Sequence, residues 1–283
     1  ETICVFLLFV FQSDSRKFLD VFLDMRKSGR YVSSLAYQVA MEYFLVNDER
    51  ELAFEIFRMT SSDNINPSEE MINTLISHCN KPYELELIYG ILVEKSLLNA
   101  NIMNNLITIS YKIKDYNKVE YFSEKIKDEK DLNLTALIAL FGTYSRKNSS
   151  KESDIVKKIV EMDNPSETEE QHISEVINTI GESFGNKLAE KFHDKVISAR
   201  YDTPVTFLTI IRRYVLEDKQ EKARNIIAKD KRFKEVSIIF YFPILINSIK
   251  RKREGEIVSL LKEISSRKIP LLEQNTLQNL FDT

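Results

Sequence analysis

The sequence predicts an all-α protein, an α-solenoid of about seven stacked helix-turn-helix repeats. Gly and Pro are scarce, with 6 of each among 283 residues, whereas strands joined by tight turns need many of both. Apolar residues recur at helical spacing, and almost no segment alternates with the period of two that a strand requires. Polar breaks arrive roughly every 12 to 20 residues, a rhythm typical of paired helices of three to four turns.

The first element of the chain is an apolar run from Ile3 to Phe11. This run is too short to span a bilayer, which takes about 20 residues of helix. It also lacks the positive flank and the small-residue cleavage site of a signal peptide. We therefore expect a buried helix here, and we expect any targeting segment to lie outside this fragment. The phrase FLDVFLDMRKSG, Phe18 to Gly29, is then the second helix of the same repeat.

A helix, a polar elbow and a second helix recur along the rest of the chain. AYQVAMEYFLVNDERELAFEIFRM begins at Ala36, and segments with the same plan begin at Met71, Ile102, Val205 and near Ile244. One such pair cannot bury its apolar face alone, so stacking on neighbours must supply the missing contacts. The whole chain is predicted to be one array, with approximate repeats at 1–32, 33–67, 68–98, 99–131, 132–165, 166–201, 202–232 and 233–270 and the start of another at 271–283.

The residues offer no catalytic or metal-binding constellation. The two cysteines, Cys4 and Cys79, belong to no CxxC or Cys/His cluster, and the three histidines are isolated from further ligands. The chain contains no P-loop, no GxGxxG, no GxSxG and no zinc deaminase signature. We therefore predict no enzymatic activity, no catalytic residue, no bound metal ion and no cofactor.

Several phrases resemble the pentatricopeptide repeat, a helix-turn-helix family of about 35 residues per repeat that binds single-stranded RNA in mitochondria and chloroplasts. INPSEEMINTLI, Ile65 to Ile76, is similar to the first part of the family phrase, in which a Pro precedes N-T-L-I. VTFLTIIRRYVLEDKQEKARNII, which begins at Val205, resembles the family phrase and aligns with it without a gap. The resemblance covers about three quarters of the chain. The sequence is rich in Lys, Asn and Ile, which is more similar to a fungal mitochondrial member of the family than to a plant one.

The resemblance implies RNA contacts at set positions of each repeat. A residue early in the first helix is expected to contact a base edge, and Gln and Asn suit this role because they offer a donor and an acceptor. The base-contacting candidates are Gln38, Asn73, Asn104, Leu208 and Asn275. In the family this residue pairs with the last residue of the repeat, which is Ser68 for the Gln38 repeat, where Asp or Asn is usual.

Two further sets of candidates follow from the same resemblance. In the family, the residue at a neighbouring position of the repeat packs against the faces of the bases. The apolar residues at this position in the present chain are Leu35 and Val205, which are therefore the stacking candidates. A lysine late in the first helix faces phosphates, and nearby arginines would add backbone contacts. The phosphate-contacting candidates are Lys81, Lys112, Arg212, Arg213, Lys250 and Arg251.

The resemblance thus implies an RNA-binding adaptor of the mitochondrial matrix that supports transcript processing, stability or translation. The expected partners are a single-stranded organellar transcript and proteins of a ribonucleoprotein complex, with no membrane span and no DNA. Charge leaves an alternative open, because residues 1–200 hold 24 Lys and Arg against 32 Asp and Glu, while residues 201–283 hold 16 against 11. An RNA groove should be basic, so the acidic portion favours a protein-binding scaffold or a subunit of a larger mitochondrial ribosome or RNA-processing complex.

Overall fold

The computed structural model describes residues 15–28, 32–126, 128–162, 169–201, 203–229 and 237–267. Within these ranges all regular structure is helical, which confirms the predicted all-α class. The α-helices are α1 (Ser15–Lys27), α2 (Ser34–Val46), α3 (Arg50–Ser62), α4 (Glu69–Ser77), α5 (Pro82–Glu94), α6 (Ala100–Lys112), α7 (Tyr116–Lys125), α8 (Leu134–Lys147), α9 (Lys151–Val160), α10 (Glu169–Ser183), α11 (Asn186–Ser198), α12 (Pro204–Leu216), α13 (Gln220–Lys229), α14 (Ser237–Lys250) and α15 (Glu254–Ser266). A short 3₁₀ helix spans Glu129–Asp131.

The chain divides into two compact units, Glu1–Asn148 and Ser149–Thr283, and the division falls inside the predicted repeat 132–165. In the first unit the hairpins are α2/α3, α4/α5 and α6/α7, and the first helices α4, α6 and α8 pack in succession. In the second unit the hairpins are α10/α11, α12/α13 and α14/α15, and α10, α12 and α14 pack in succession. The predicted stacking of helix pairs is therefore confirmed in each unit. The predicted helix at Ile3–Phe11 and the repeat start at 271–283 lie outside the described residues.

Polar side chains define where the first helix of a pair begins. Ser68 accepts a hydrogen bond from the Met71 amide at the start of α4, and Asn99 and Asn133 do the same for α6 and α8. In the second unit Thr203 accepts from the amide of Thr206 at the start of α12. Each cap satisfies an amide that the first turn leaves without a helical partner. The Pro-Ser pair before α4 is the helix start that INPSEEMINTLI predicts.

Four of the elbows between paired helices share one backbone turn. After α2, Asp48 adopts a left-handed conformation with φ of 61°, and the amide of Glu49 donates to the carbonyl of Phe44 at 2.8 Å. The same turn follows α6 at Lys114, α12 at Asp218 and α14 at Lys252. Such turns usually place Gly at the left-handed position, and here the positions carry larger polar residues. The polar breaks in the sequence therefore mark these elbows even though glycine is scarce.

Aromatic packing and one charged cluster join α1 to the hairpin that follows it. Phe18 of α1 stacks on Tyr43 of α2, with ring centroids 4.2 Å apart. At the other end, Arg26 donates two hydrogen bonds to the carboxylate of Asp63, which also accepts from the hydroxyl of Tyr37. The hydrogen bonds from Arg26 lower the pKa of Asp63. The described helices include none that is long and apolar enough to cross a membrane.

Candidate nucleic-acid interface

In the first unit, three consecutive first helices each carry a side-chain amide at the fifth or sixth residue, and we call Gln38, Asn73 and Asn105 the amide row. Gln38 and Asn73 are each the fifth residue of their helix, α2 and α4. Asn105 of α6 donates from Nδ2 to Oδ1 of Asn73 at 2.8 Å. Ser68 Oγ donates to Oε1 of Gln38 at 2.9 Å, so the structure brings together the two positions that the resemblance pairs. All three amides are half-buried.

Asn104, predicted to contact a base, differs from its counterparts because it is buried. It is 3% exposed, its Nδ2 donates to the carbonyl of Asp131 at 2.7 Å and its Oδ1 accepts from the amide of Asn133 at 3.1 Å. Both ends of the amide thus hold the turn that leads into α8. Asn105 is the next residue along α6 and bonds to Asn73 instead. The repeated Asn-Asn in the sequence is the signal that could have suggested this alternative.

The candidates for stacking occupy equivalent and exposed positions. Leu35 and Val205 are the second residues of α2 and α12, and their exposed fractions are 42% and 44%. Lys112 ends α6 two turns after Asn105 and is exposed, so it lies on the same helix face as the amide row. These three side chains are accessible to a ligand.

Carboxylates surround part of the first unit's candidate surface. Lys81 lies at the elbow before α5 and lines a cavity together with the side chains of Asp48, Glu49, Arg50, Glu51, Leu52 and Glu84. Its Nζ donates to the hydroxyl of Tyr83 at 3.3 Å, and this hydrogen bond raises the pKa of Lys81. Beside the amide row, Glu42 accepts from Gln38 and Glu69 accepts from Asn101. A phosphate near Lys81 would therefore meet several negative charges, which weakens its attraction.

The neighbouring arginines Arg212 and Arg213 of α12 have different surroundings. Arg212 is exposed and lines a groove beside α14. Arg213 is 8% exposed, and its Nε donates to Oδ1 of Asn186 at 2.9 Å while its Nη1 donates to Glu182 at 3.2 Å. Arg213 was predicted to contact phosphate, but its guanidinium lies inside the unit and joins α12 to α10 and α11. A helix turns by about 100° per residue, so adjacent arginines cannot share one face.

The end of α14 carries the remaining candidates. Lys250 is exposed and lines the same groove as Arg212. Arg251 is exposed and pairs with Asp218 at 2.8 Å, and Arg253 binds the same carboxylate. Hydrogen bonding from Arg253, together with Arg251, lowers the pKa of Asp218. Asn275 lies outside the described residues.

Between the first helices α12 and α14 the structure forms an apolar groove with a cavity of about 300 Å³. We call it the α12–α14 groove, and it is lined by Leu208, Arg212, Val215, Leu216, Ile239, Phe242, Pro243, Ile246, Asn247 and Lys250. Three predicted contacts therefore meet in one cavity, namely Leu208, Arg212 and Lys250. Among the described residues of the lining there are two cations and no carboxylate. Phe242 and Asn247 were not predicted from the sequence, and the unusual Pro243 inside a helical segment was the available signal.

The described residues do not gather three or more His, Cys, Asp or Glu side chains into a metal site. Cys79 is buried, and burial raises the pKa of its thiol to about 12. A thiol with so high a pKa remains protonated at neutral pH and is a poor nucleophile.

Comparison with known proteins gives structural likenesses alone, since no family model and no curated protein matches the chain. The chain is similar to the crystal structure of the pentatricopeptide repeat protein PPR10 from maize, with 17% identity and a TM-score of 0.46 over 90% of this chain and 36% of that one. It is also similar to PPR10 in complex with an 18-nt psaJ RNA element, with 18% identity and a TM-score of 0.41 over 89% and 37%. The chain thus spans little more than a third of the length of these structures.

Proposed function

We propose that this protein is an RNA-binding adaptor of the pentatricopeptide type, which grips single-stranded RNA in the mitochondrial matrix. By occupying the RNA it would support processing, stability or translation of an organellar transcript, without making or breaking bonds. Two findings support the proposal. One is the sequence resemblance, and the other is the stack of helix pairs whose first helices carry the residues predicted to contact RNA.

The observation that carries the proposal is the α12–α14 groove. Its apolar walls and Phe242 suit the face of a nucleobase, because single-stranded nucleic acids bind by stacking on apolar and aromatic side chains. Arg212 on one helix and Lys250 on the other supply positive charge beside those walls, as a phosphate backbone requires. A base with its flanking phosphates combines these two chemistries in one ligand.

The carboxylates of the first unit favour a second candidate function. Asp48, Glu49 and Glu51 lie near Lys81, and Glu42 and Glu69 hydrogen-bond to polar residues around the amide row. Such a surface would repel phosphates. It is better suited to a protein partner, in a scaffold or in a subunit of a larger mitochondrial ribosome or RNA-processing complex.

Binding of random single-stranded RNA, compared with double-stranded RNA and DNA at two salt concentrations, tests the first proposal. We expect preference for the single strand, and weaker binding at higher salt because bound phosphates release counterions. The variant Arg212→Ala/Lys250→Ala should reduce RNA affinity by about tenfold or more, because it removes two contacts to phosphates. The dependence of affinity on salt should also become weaker, since each phosphate contact contributes to it. The control variant Lys187→Ala/Lys262→Ala removes the same charge from exposed residues of α11 and α15.

Equal losses in the two variants would show that net charge alone attracts RNA and would contradict a site in the α12–α14 groove. Absence of binding at micromolar protein would contradict RNA binding by this chain. In that case a search for protein partners of the first unit becomes the appropriate experiment.

A further inference from the structure

The end of α6, the start of α7 and the end of α8 bring exposed cations together in the first unit. Lys114 lies at the elbow between α6 and α7, while Arg146 and Lys147 belong to the last turn of α8. All three side chains are exposed. Among the described residues, Lys114 and Arg146 have no carboxylate partner, whereas Lys147 binds Glu120 at 2.7 Å. We call Lys114, Tyr116, Arg146 and Lys147 the elbow patch.

An aromatic stack holds the guanidinium of Arg146 in place. Gly142 lies one turn earlier in α8, and because it has no side chain the ring of Tyr111 can lie against it. The ring of Tyr111 packs on that of Tyr116, with centroids 5.6 Å apart. The guanidinium carbon of Arg146 lies 4.5 Å from the centroid of the Tyr116 ring. A stacked arginine loses less freedom when it binds a ligand, so its exposed N–H groups are prepared for an anion.

Helix polarity explains only part of this cluster. The macrodipole favours cations at a helix C-terminus, which accounts for the charges of Arg146 and Lys147. It does not account for Lys114, which lies beyond the end of α6, or for the stack that fixes Arg146. The unit as a whole is acidic, with 17 Lys and Arg against 21 Asp and Glu in residues 1–148. The elbow patch is therefore a local positive surface on a negative unit.

The surroundings of the elbow patch favour a short acidic segment of a protein over RNA. Single-stranded nucleic acids bind by stacking their bases, but Arg146 already covers one face of the Tyr116 ring. Near the preceding elbow, the cavity around Lys81 is lined by four carboxylates. An RNA strand that followed the elbows would bring its phosphates close to these carboxylates and be repelled. A short segment needs only the patch itself, and arginine and tyrosine are enriched at protein interfaces.

We propose that the elbow patch docks an acidic segment of a protein partner. Arg146 pairs with one carboxylate of the segment through two N–H donors, because the guanidinium fork matches the two carboxylate oxygens. Lys114 pairs with a second carboxylate. The inference names a kind of partner for the second candidate function, protein binding by the first unit, and it does not depend on RNA binding.

A labelled oligo-glutamate peptide is the probe, and an oligo-glutamine peptide of the same length is its control. Fluorescence anisotropy at low salt measures binding of each peptide to the full chain. We expect the wild type to bind the glutamate peptide and not the glutamine peptide. Lys114→Ala/Arg146→Ala should weaken binding about five- to tenfold, since two charge-assisted contacts are lost. The control variant Arg16→Ala/Lys27→Ala removes the same charges from exposed residues of α1, and it should change affinity by less than about twofold.

Tyr116→Leu separates the effect of the stack from that of charge. This variant keeps every charge but removes the ring under Arg146, so peptide binding should weaken about two- to threefold. Urea unfolding confirms that the variant is folded under the conditions of the binding assay. Wild-type affinity in folded Tyr116→Leu would overturn the role given to the aromatic stack.

Four results would overturn the docking proposal itself. The first is no binding of the glutamate peptide by the wild type, and the second is an equal loss in the patch and control variants, which would show that net charge alone attracts the peptide. The third is a loss in Arg212→Ala/Lys250→Ala but not in the patch variant, which would place the peptide in the α12–α14 groove. The fourth is single-stranded RNA of the same charge that binds more tightly than the peptide and loses affinity in the patch variant.

An oligo-lysine peptide makes failure of this inference distinguishable from failure of the second candidate function. That function is supported by the carboxylates of the first unit, which would attract a basic partner. Binding of oligo-lysine without binding of oligo-glutamate would overturn the elbow patch as a docking site and leave protein binding by the first unit standing.

Discussion

Arg212 and Arg213 are adjacent in sequence, but the structure predicts opposite consequences when each is replaced by alanine. Arg213→Ala should lower the free energy of unfolding of the protein and have little direct effect on RNA. Arg212→Ala should weaken RNA binding and leave stability within about 0.5 kcal/mol of the wild type, as is usual for an exposed side chain. The pair tests whether exposure, rather than charge, decides the role of each arginine.

The size of the expected stability loss in Arg213→Ala follows from the contacts of the Arg213 side chain. The hydrogen bond from Nε to Asn186 joins two residues that are 8% and 4% exposed, and a buried bond of this charged type contributes about 1.5–3 kcal/mol. The contact with Glu182 adds about 0–1 kcal/mol, because the Glu182 side chain is 70% exposed to solvent. Truncation also opens a space beside Gly181, where an added Cβ would lie 2.5 Å from Nε of Arg213. We expect a total loss of about 2–4 kcal/mol.

Urea unfolding followed by circular dichroism gives the stability of each variant, and fluorescence anisotropy with labelled RNA at several salt concentrations gives the binding. For Arg212→Ala the slope of log affinity against log salt should fall by about 0.7 if one phosphate contact is lost. If Arg213→Ala unfolded at the same urea concentration as the wild type, the assignment of a structural role to Arg213 would be refuted. So would a reduced salt slope in Arg213→Ala when it is measured where the variant is fully folded.

Three further changes test the packing, the elbows and the charged cluster. Gly142→Ala should destabilise the first unit by about 1–3 kcal/mol, since its Cβ would lie 2.5 Å from the ring of Tyr111; urea unfolding measures this. Lys114→Gly should stabilise the elbow after α6 by about 0.5–1 kcal/mol, because φ of 65° strains a residue with a Cβ; thermal melts measure it. Asp63→Asn should destabilise by about 1–3 kcal/mol at pH 7. Because the pKa of Asp63 is lowered by its partners, the difference from wild type should shrink as pH falls below about 4 in acid titrations of stability.

Each of these changes has a matched control in the chain. Gly90→Ala makes the same substitution in α5, where nothing lies within 4 Å of the added Cβ, and should stabilise by about 0.8–1 kcal/mol; equal effects at both glycines would contradict the close contact with Tyr111. Lys114→Ala removes the same charge but keeps a Cβ, so a gain equal to that of glycine would refute the role of strain. If the difference between wild type and Asp63→Asn were constant down to pH 2, ionisation of Asp63 would not be its source.

The sequence by itself determined the helices and their pairing. Helical periodicity placed the apolar faces, because a helix must bury its stripe wherever it lies in the fold. Polar breaks placed the elbows, since Asp48, Lys114 and Asp218 interrupt apolar segments and tolerate exposure. These are local signals, and they do not depend on which neighbours pack against a helix.

Only the tertiary structure decided which side chains remain available to a ligand. Asn104 and Asn105 are equally plausible in sequence, yet one holds the turn before α8 and the other joins the amide row. The α12–α14 groove joins residues more than 30 positions apart, such as Leu208 and Asn247, and no local pattern predicts that they meet. The physical reason is that exposure depends on the rotation and separation of packed helices, and these are fixed by side-chain contacts between repeats rather than within one.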